Sequence, residues 1–173
     1  SPTPQTRRLA RVCTAEAGIL LGETNGARAE FQAVVDDFLA AGSREDAQET
    51  LVQWALRESE RGDVDRADEV RGAARRISGN VSPLTEGLMA LLDADLAASM
   101  DAAPDDAAAV ALRAVRLLER QNRWYLAWRA HWRLGQALRR GGSQLDAARE
   151  YASARTILTG VAESFGREAP VGP

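Results

Sequence analysis

Ala27, Ala67, Ala107 and Ala147 stand at successive intervals of 40 residues, and seven residues beyond each lie Val34, Ala74, Ala114 and Ala154. A fixed period of this size means one supersecondary unit used repeatedly, each copy burying its apolar side against the next. Small side chains recur where two helices must approach closely. Five residues before the first column sit Gly22, Gly62, Ala102 and Gly142, so three of four repeats carry glycine where a turn would join two helices and a left-handed residue would end the first. Ten residues beyond the column come Asp37, Ile77, Leu117 and Ile157, with Phe38, Leu118 and Leu158 beside three of them; these read as the buried ends of the second helices.

The punctuation between helices keeps the same period. Thr24, Asp63 and Ser143 follow the turn glycines and are placed to accept hydrogen bonds from the first free amides of the second helices, while Pro104 takes an early position that needs no amide hydrogen. Ser43 stands three residues ahead of Asp46 like a capping box, and Ser82 directly precedes Pro83. The pattern predicts eight helices near 5–21, 24–40, 44–61, 64–78, 83–99, 104–120, 123–140 and 143–165. Short connections make neighbours antiparallel, so the expected architecture is all-α, four helix pairs stacked as an α-α superhelix. It forms one repeat domain over 1–166, with repeats at about 5–42, 43–81, 82–121 and 122–166 and a frayed tail at 167–173.

Composition narrows the chemistry. The chain has 173 residues, 45% of them hydrophobic and 27% charged, which suits a folded domain rather than a disordered one. All 22 basic residues are arginine, which excludes Schiff-base catalysis, a lysine general base and a P-loop lysine, and is in keeping with a high-GC bacterial coding bias. There is no apolar run long enough to span a membrane and no signal-peptide succession, so the chain is placed in the cytoplasm. Cys13 is the single cysteine and reads as a buried thiol. A start at Ser1 rather than methionine reads as a domain excised from a larger protein that holds the rest of the function.

The fourth repeat carries Leu134-Gly135, Leu138, Gly142, Ala147, Tyr151 and Ala154 in an order and spacing that resembles the tetratricopeptide repeat. Trp54, Ala55, Gly62, Ala67 and Ala74 in the second repeat, and Ala15, Gly22, Ala27, Phe31 and Val34 in the first, match less fully; the third keeps only the alanines of its second helix. The resemblance spans roughly residues 8 to 160. The period of forty is longer than the family's usual one and is similar to the sensor superhelices of bacterial signal-transduction ATPases and related transcription regulators. Ala154 to Leu158, with Val161, Ala162 and Phe165, resembles the closing helix of such arrays. The resemblance implies that the first helix of each repeat lines a concave groove, with Trp132, Gln136 and Arg139 at groove positions.

The strongest local feature lies in the same helix. Trp124, Trp128 and Trp132 are spaced by four and share one face, bracketed by Arg123, Arg129 and Arg133. Two readings stand for this stripe: cement between the third and fourth pairs, or a surface for a partner with flat apolar groups and negative charge. Charge is segregated, with six acids and no basic residue from Ile77 to Leu112, then eight arginines against Glu119 alone from Arg113 to Arg140. Those charges are either solvated outer faces with some arginines paired to neighbouring acids, or an arginine-lined groove for an acidic peptide, a phosphate or another copy's acidic end. Overall acidity and a short basic footprint disfavour nucleic acid.

Catalysis has little to stand on. His131 is the only histidine and falls inside a helix, no cysteine and histidine pair has metal-ligand spacing, and Glu58 and Glu60 read as surface acids. The expected function is a non-catalytic protein- or ligand-binding or sensing module of a bacterial signalling or regulatory protein, with no cofactor. Its partner surface is Trp124, Trp128, Trp132, Gln136, Arg139, Arg129 and Arg133. The alternative is a scaffold that assembles complexes or pairs with itself through complementary acidic and basic ends.

Overall fold

In a computed structural model the described residues are 3–77, 79 and 81–168, the side chains of 165–168 excepted; the end of the expected tail, 169–173, lies outside them. Among the described residues there are eight helices and no strand: α1 Pro4–Leu21, α2 Thr24–Ala40, α3 Arg44–Arg61, α4 Val64–Arg76, α5 Pro83–Ser99, α6 Pro104–Arg120, α7 Trp124–Arg140 and α8 Gln144–Glu168. Helix α4 stops at Arg76, where Ile77 turns extended at its cap, and α8 runs past its expected end to Glu168. No helix among the described residues is long and apolar enough to cross a membrane.

The turns follow the sequence with instructive departures. Gly22, Gly62 and Gly142 are left-handed at φ of 90°, 84° and 87°. In the third repeat, which lacks the glycine, Asp101 takes the left-handed conformation at φ 55° rather than Ala102. Asp63 caps α4 by accepting from the Arg66 amide at 3.2 Å, and Ser82 accepts from the Thr85 amide at 3.1 Å. The cap expected from Thr24 is not made: Thr24 is the first residue of α2, whose N-cap is Glu23 and has no side-chain cap bond. Ser43 is the N-cap of α3 but makes no side-chain cap bond either, so the capping box is not formed.

The chain divides into two compact units, residues 1–92 and 93–173, with the division inside α5. In unit 1, α1 packs on α2, α3 on both, and α4 on α3. The hairpins are antiparallel, since Gly18 meets Ala27 while Arg11 pairs with Asp37 at 2.6 Å. Helices one repeat apart run parallel: Arg57 donates to Glu16, 41 residues earlier, and Arg61 to the Ile19 carbonyl, 42 residues earlier. In unit 2, α7 packs on α6 and α8 on α7, and again Arg133 reaches Asp95, 38 residues earlier, and Arg140 reaches Asp101, 39 residues earlier.

Both small-residue columns are buried, from Ala27, Ala67, Ala107 and Ala147 to Val34, Ala74, Ala114 and Ala154. The expected buried helix ends divide. Phe38, Leu117 and Leu118 are buried, whereas Asp37 is exposed because Arg11 holds it at the surface, and Leu158 is exposed because nothing described lies over it. Cys13 is exposed on α1 rather than buried, on a helix whose neighbours Thr14 and Ala17 are exposed too.

Candidate functional site

Helix α7 presents its tryptophans unequally. Trp124 begins the helix and is exposed, with Tyr125 exposed beside it. Trp128 is half-buried, and Trp132 is 45% exposed, its ring 4.9 Å from that of Tyr151 on α8 at a tilt of 52°. Tyr151 reaches that place because Gly135 has no side chain: a Cβ there would lie 2.7 Å from Tyr151 Cε1. The glycine of the Leu134-Gly135 pair is thus a cradle for an aromatic ring.

Between α7 and α8 these rings enclose an open, apolar cavity of about 420 Å³, lined by Trp128, Trp132, Tyr151, Ala154, Arg155 and Leu158. Pockets of this size and lining suit apolar side chains with a few polar groups at the margin. Arg155 is the charged group at that margin, its aliphatic stem available to cover apolar surface while the head stays wet. The structure therefore brings Trp128 and Trp132 together with α8 residues that the α7 pattern alone did not name. Tyr151 could have been found from its pairing with Gly135 in the repeat pattern; Arg155 and Leu158 carry no such signal.

The arginines of the expected surface do something else. Arg129 and Arg133 both donate to the carboxylate of Asp95, which is 0% exposed; the Arg133 Nε bond is 2.7 Å. Arg133 also donates to Gln136 at 3.0 Å, which fixes the Gln136 amide. Arg140 donates to Asp101 and to the Ala102 carbonyl, at 2.7 and 2.8 Å. Arg139 is exposed on the last turn of α7. Asp95 stands in register with Ala15, Ala55 and Gly135, so a carboxylate occupies a column otherwise filled by small residues, and two guanidinium groups from the next repeat keep it satisfied.

His131 is buried, its Nδ1 2.6 Å from Glu150 on α8 and its Nε2 3.2 Å from Glu119 on α6, so one imidazole links three helices. Among the described residues no group of three His, Cys, Asp or Glu side chains is placed to hold a metal ion.

Unit 1 has a second buried carboxylate, and here the surface reading of Glu58 is corrected. Glu58 is 0% exposed and accepts two bonds from Arg28, both at 2.7 Å, and one from the Trp54 indole at 2.8 Å. Arg28 also donates to Asp63 at 2.6 Å. Donating to Glu58 raises the Arg28 pKa above its ordinary value despite the opposing effect of burial. For Asp63, burial pushes the carboxyl up, but bonds from Arg28 and the Arg66 amide and the charges of Arg28 and Arg61 outweigh it and hold it below the ordinary carboxylate range.

The chain matches no known family model, and no curated protein matches it in sequence. What can be said of its class comes from the fold: it is an all-helical protein of short, repeated helical hairpins.

Proposed function

We propose that the chain is a non-catalytic binding module of the tetratricopeptide kind, four helix pairs in an α-α superhelix, that recognises a polypeptide partner on the α7 and α8 surface. The single observation that carries this reading is the open apolar cavity framed by Trp128, Trp132, Tyr151 and Leu158, with Trp124 exposed one turn earlier. Exposed aromatic rings around a cavity are what binding hot spots are made of. Support for the repeat architecture comes from ion pairs that link residues about forty apart within each unit. The partner's attraction is apolar rather than electrostatic, because Arg129 and Arg133 are engaged by Asp95. A role as the sensing part of a larger bacterial signalling or regulatory protein belongs to the same proposal.

The electrostatic scaffold alternative loses support on the same ground. Asp95 and Asp101 are matched by Arg129, Arg133 and Arg140 inside unit 2, so these charges are engaged with one another before any partner arrives.

The test is a selection of helical peptides against the whole chain, followed by binding measurements on Trp128→Ala and Trp132→Ala. Expected are amphipathic peptides whose affinity falls at least about tenfold in both variants, with helicity retained. Peptides that bind both variants as well as the parent would remove the α7 and α8 surface from consideration, and unfolding of Trp128→Ala would make that ring core.

A further inference from the structure

The cavity on α8 occupies a place that is covered in earlier repeats. Subtracting three periods, Tyr151, Arg155 and Leu158 stand in register with Phe31, Val35 and Phe38, and Trp132 with Val12. All four counterparts are buried in unit 1, where α3 packs on α1 and α2 and Trp54 stacks on Phe31 at 5.5 Å. In unit 2 the counterparts on α6 are Ala111, Val115 and Leu118, also buried, with α7 packed on that helix. Thus the second helix of a pair is twice seen beneath the first helix of the following pair, and α8 is a second helix whose same face is covered by nothing among the described residues.

The complementary half of that interface is uncovered too. On α3, Thr50 and Trp54 are buried, and on α7, Ala130, Leu134 and Ala137 are buried. Their register counterparts on α1 are Ala10, Thr14 and Ala17, all exposed. Each unpaired surface is therefore one side of a contact that the chain already makes internally. Size agrees: the α8 side has gained bulk, Trp132 for Val12, while the α1 side offers Thr14 where α3 has Trp54. A small face against a large one preserves the spacing between packed helices.

We infer that the α8 face receives α1 of a second copy of this chain, head to tail, continuing the internal packing across molecules. The inference rests on the reading of the α7 and α8 surface as a polypeptide-binding site and names its partner. Such a contact is heterologous and does not close on itself, so growth continues beyond a dimer unless geometry forms a ring.

The experiment uses the 173-residue chain and two single variants, Leu158→Asp on the α8 face and Ala17→Asp on the α1 face, each at an exposed position so that folding is spared. Mass is followed by light scattering up to about 1 mM, the range of weak complexes, with helicity and melting measured alongside. The parent should exceed twice its monomer mass of 18.7 kDa as concentration rises, and persist in high salt. Each variant alone should stay at monomer mass, whereas an equimolar mixture should form a capped dimer, because each retains the face that the other lost. A parent that stays monomeric overturns the inference, as does association insensitive to both variants or abolished by salt. If the parent is monomeric yet selected peptides bind at Trp132, self-pairing alone fails and the binding-site reading survives; if no peptide binds there either, both fall.

Discussion

Trp54 in unit 1 and Trp132 in unit 2 show the same side chain used in opposite ways. Trp54 is 2% exposed, stacked on Phe31 with an interplanar angle of 2°, its indole N–H bonded to Glu58 and the Arg66 guanidinium over its ring at 4.9 Å. Every face and its polar edge has a partner. Trp132 rests on Tyr151 and otherwise borders the cavity and solvent. The difference follows from the neighbouring pair: Trp54 on α3 packs against Phe31 on α2 of the pair before it, whereas nothing described lies over the corresponding side of α8. An aromatic ring in this chain is buried or exposed according to whether a neighbouring pair covers it.

The sharpest way to break this comparison is to truncate both rings. Trp54→Ala should cost roughly 3–5 kcal/mol, because it empties a buried site, and leaves Glu58 short of a donor. Trp132→Ala should cost only about 1 kcal/mol, the value of an aromatic pair. Denaturant titrations of both variants test this, and equal losses would mean that Trp132 is as structural as Trp54.

The two buried carboxylates extend the test. Glu58→Ala and Asp95→Ala should each destabilise by about 2–4 kcal/mol, below the full penalty for breaking a buried pair because the partner arginines keep partial contact with water. Each loss should appear in its own unit by hydrogen exchange. Protection lost equally throughout would show that the units open together.

Smaller effects separate crowded from open glycines. Gly135→Ala should destabilise by roughly 1–3 kcal/mol because its Cβ would strike the Tyr151 ring, while Gly160→Ala, on α8 with nothing within 4 Å, should stabilise by about 0.5–1 kcal/mol through helix propensity. If both substitutions stabilise, Tyr151 is not held where the cradle argument needs it. The smallest effect concerns acid. Asp63 has a lowered pKa in the folded chain, so its contribution is present above its unfolded pKa of about 3.9 and is lost as pH falls through the folded value. Melting of Asp63→Asn should therefore change less than that of the parent below about pH 4, and identical acid profiles would remove this linkage.

The helices were legible because period, turn glycines and early prolines are local signals. Their ends moved at Ile77, where the backbone turns extended, and in α8, which runs on to Glu168. The buried columns were legible for the same reason, since Ala27 and Ala154 recur. Leu158 was misread because a repeat pattern gives the face a residue belongs to but not whether anything covers it. Glu58 was misread as a surface acid because a carboxylate's burial depends on donors far along the chain, Arg28 in its case, and the burial of Asp95 beside Arg133 was not legible for the same reason. For the same reason the arginines of α7 could be read either as paired with neighbouring acids or as lining a groove, and the structure pairs Arg129, Arg133 and Arg140 with acids. Of the expected surface, Trp128 and Trp132 share the cavity, while Arg129, Arg133 and Gln136 belong to the cluster around Asp95.

The bonds described between helices one repeat apart, α3 to α1 and α7 to α5, all run from a later donor to an earlier acceptor, and that order has a consequence in time. Arg133 comes 38 residues after the carboxylate it satisfies, and Arg57 comes 41 after Glu16. On a ribosome, acid therefore emerges first and its counter-ion one repeat later, so α5 cannot settle around an ionised Asp95 until α7 has been made. Nascent chains halted after Arg120 should leave that segment protease-sensitive, and chains halted beyond α7 should protect it.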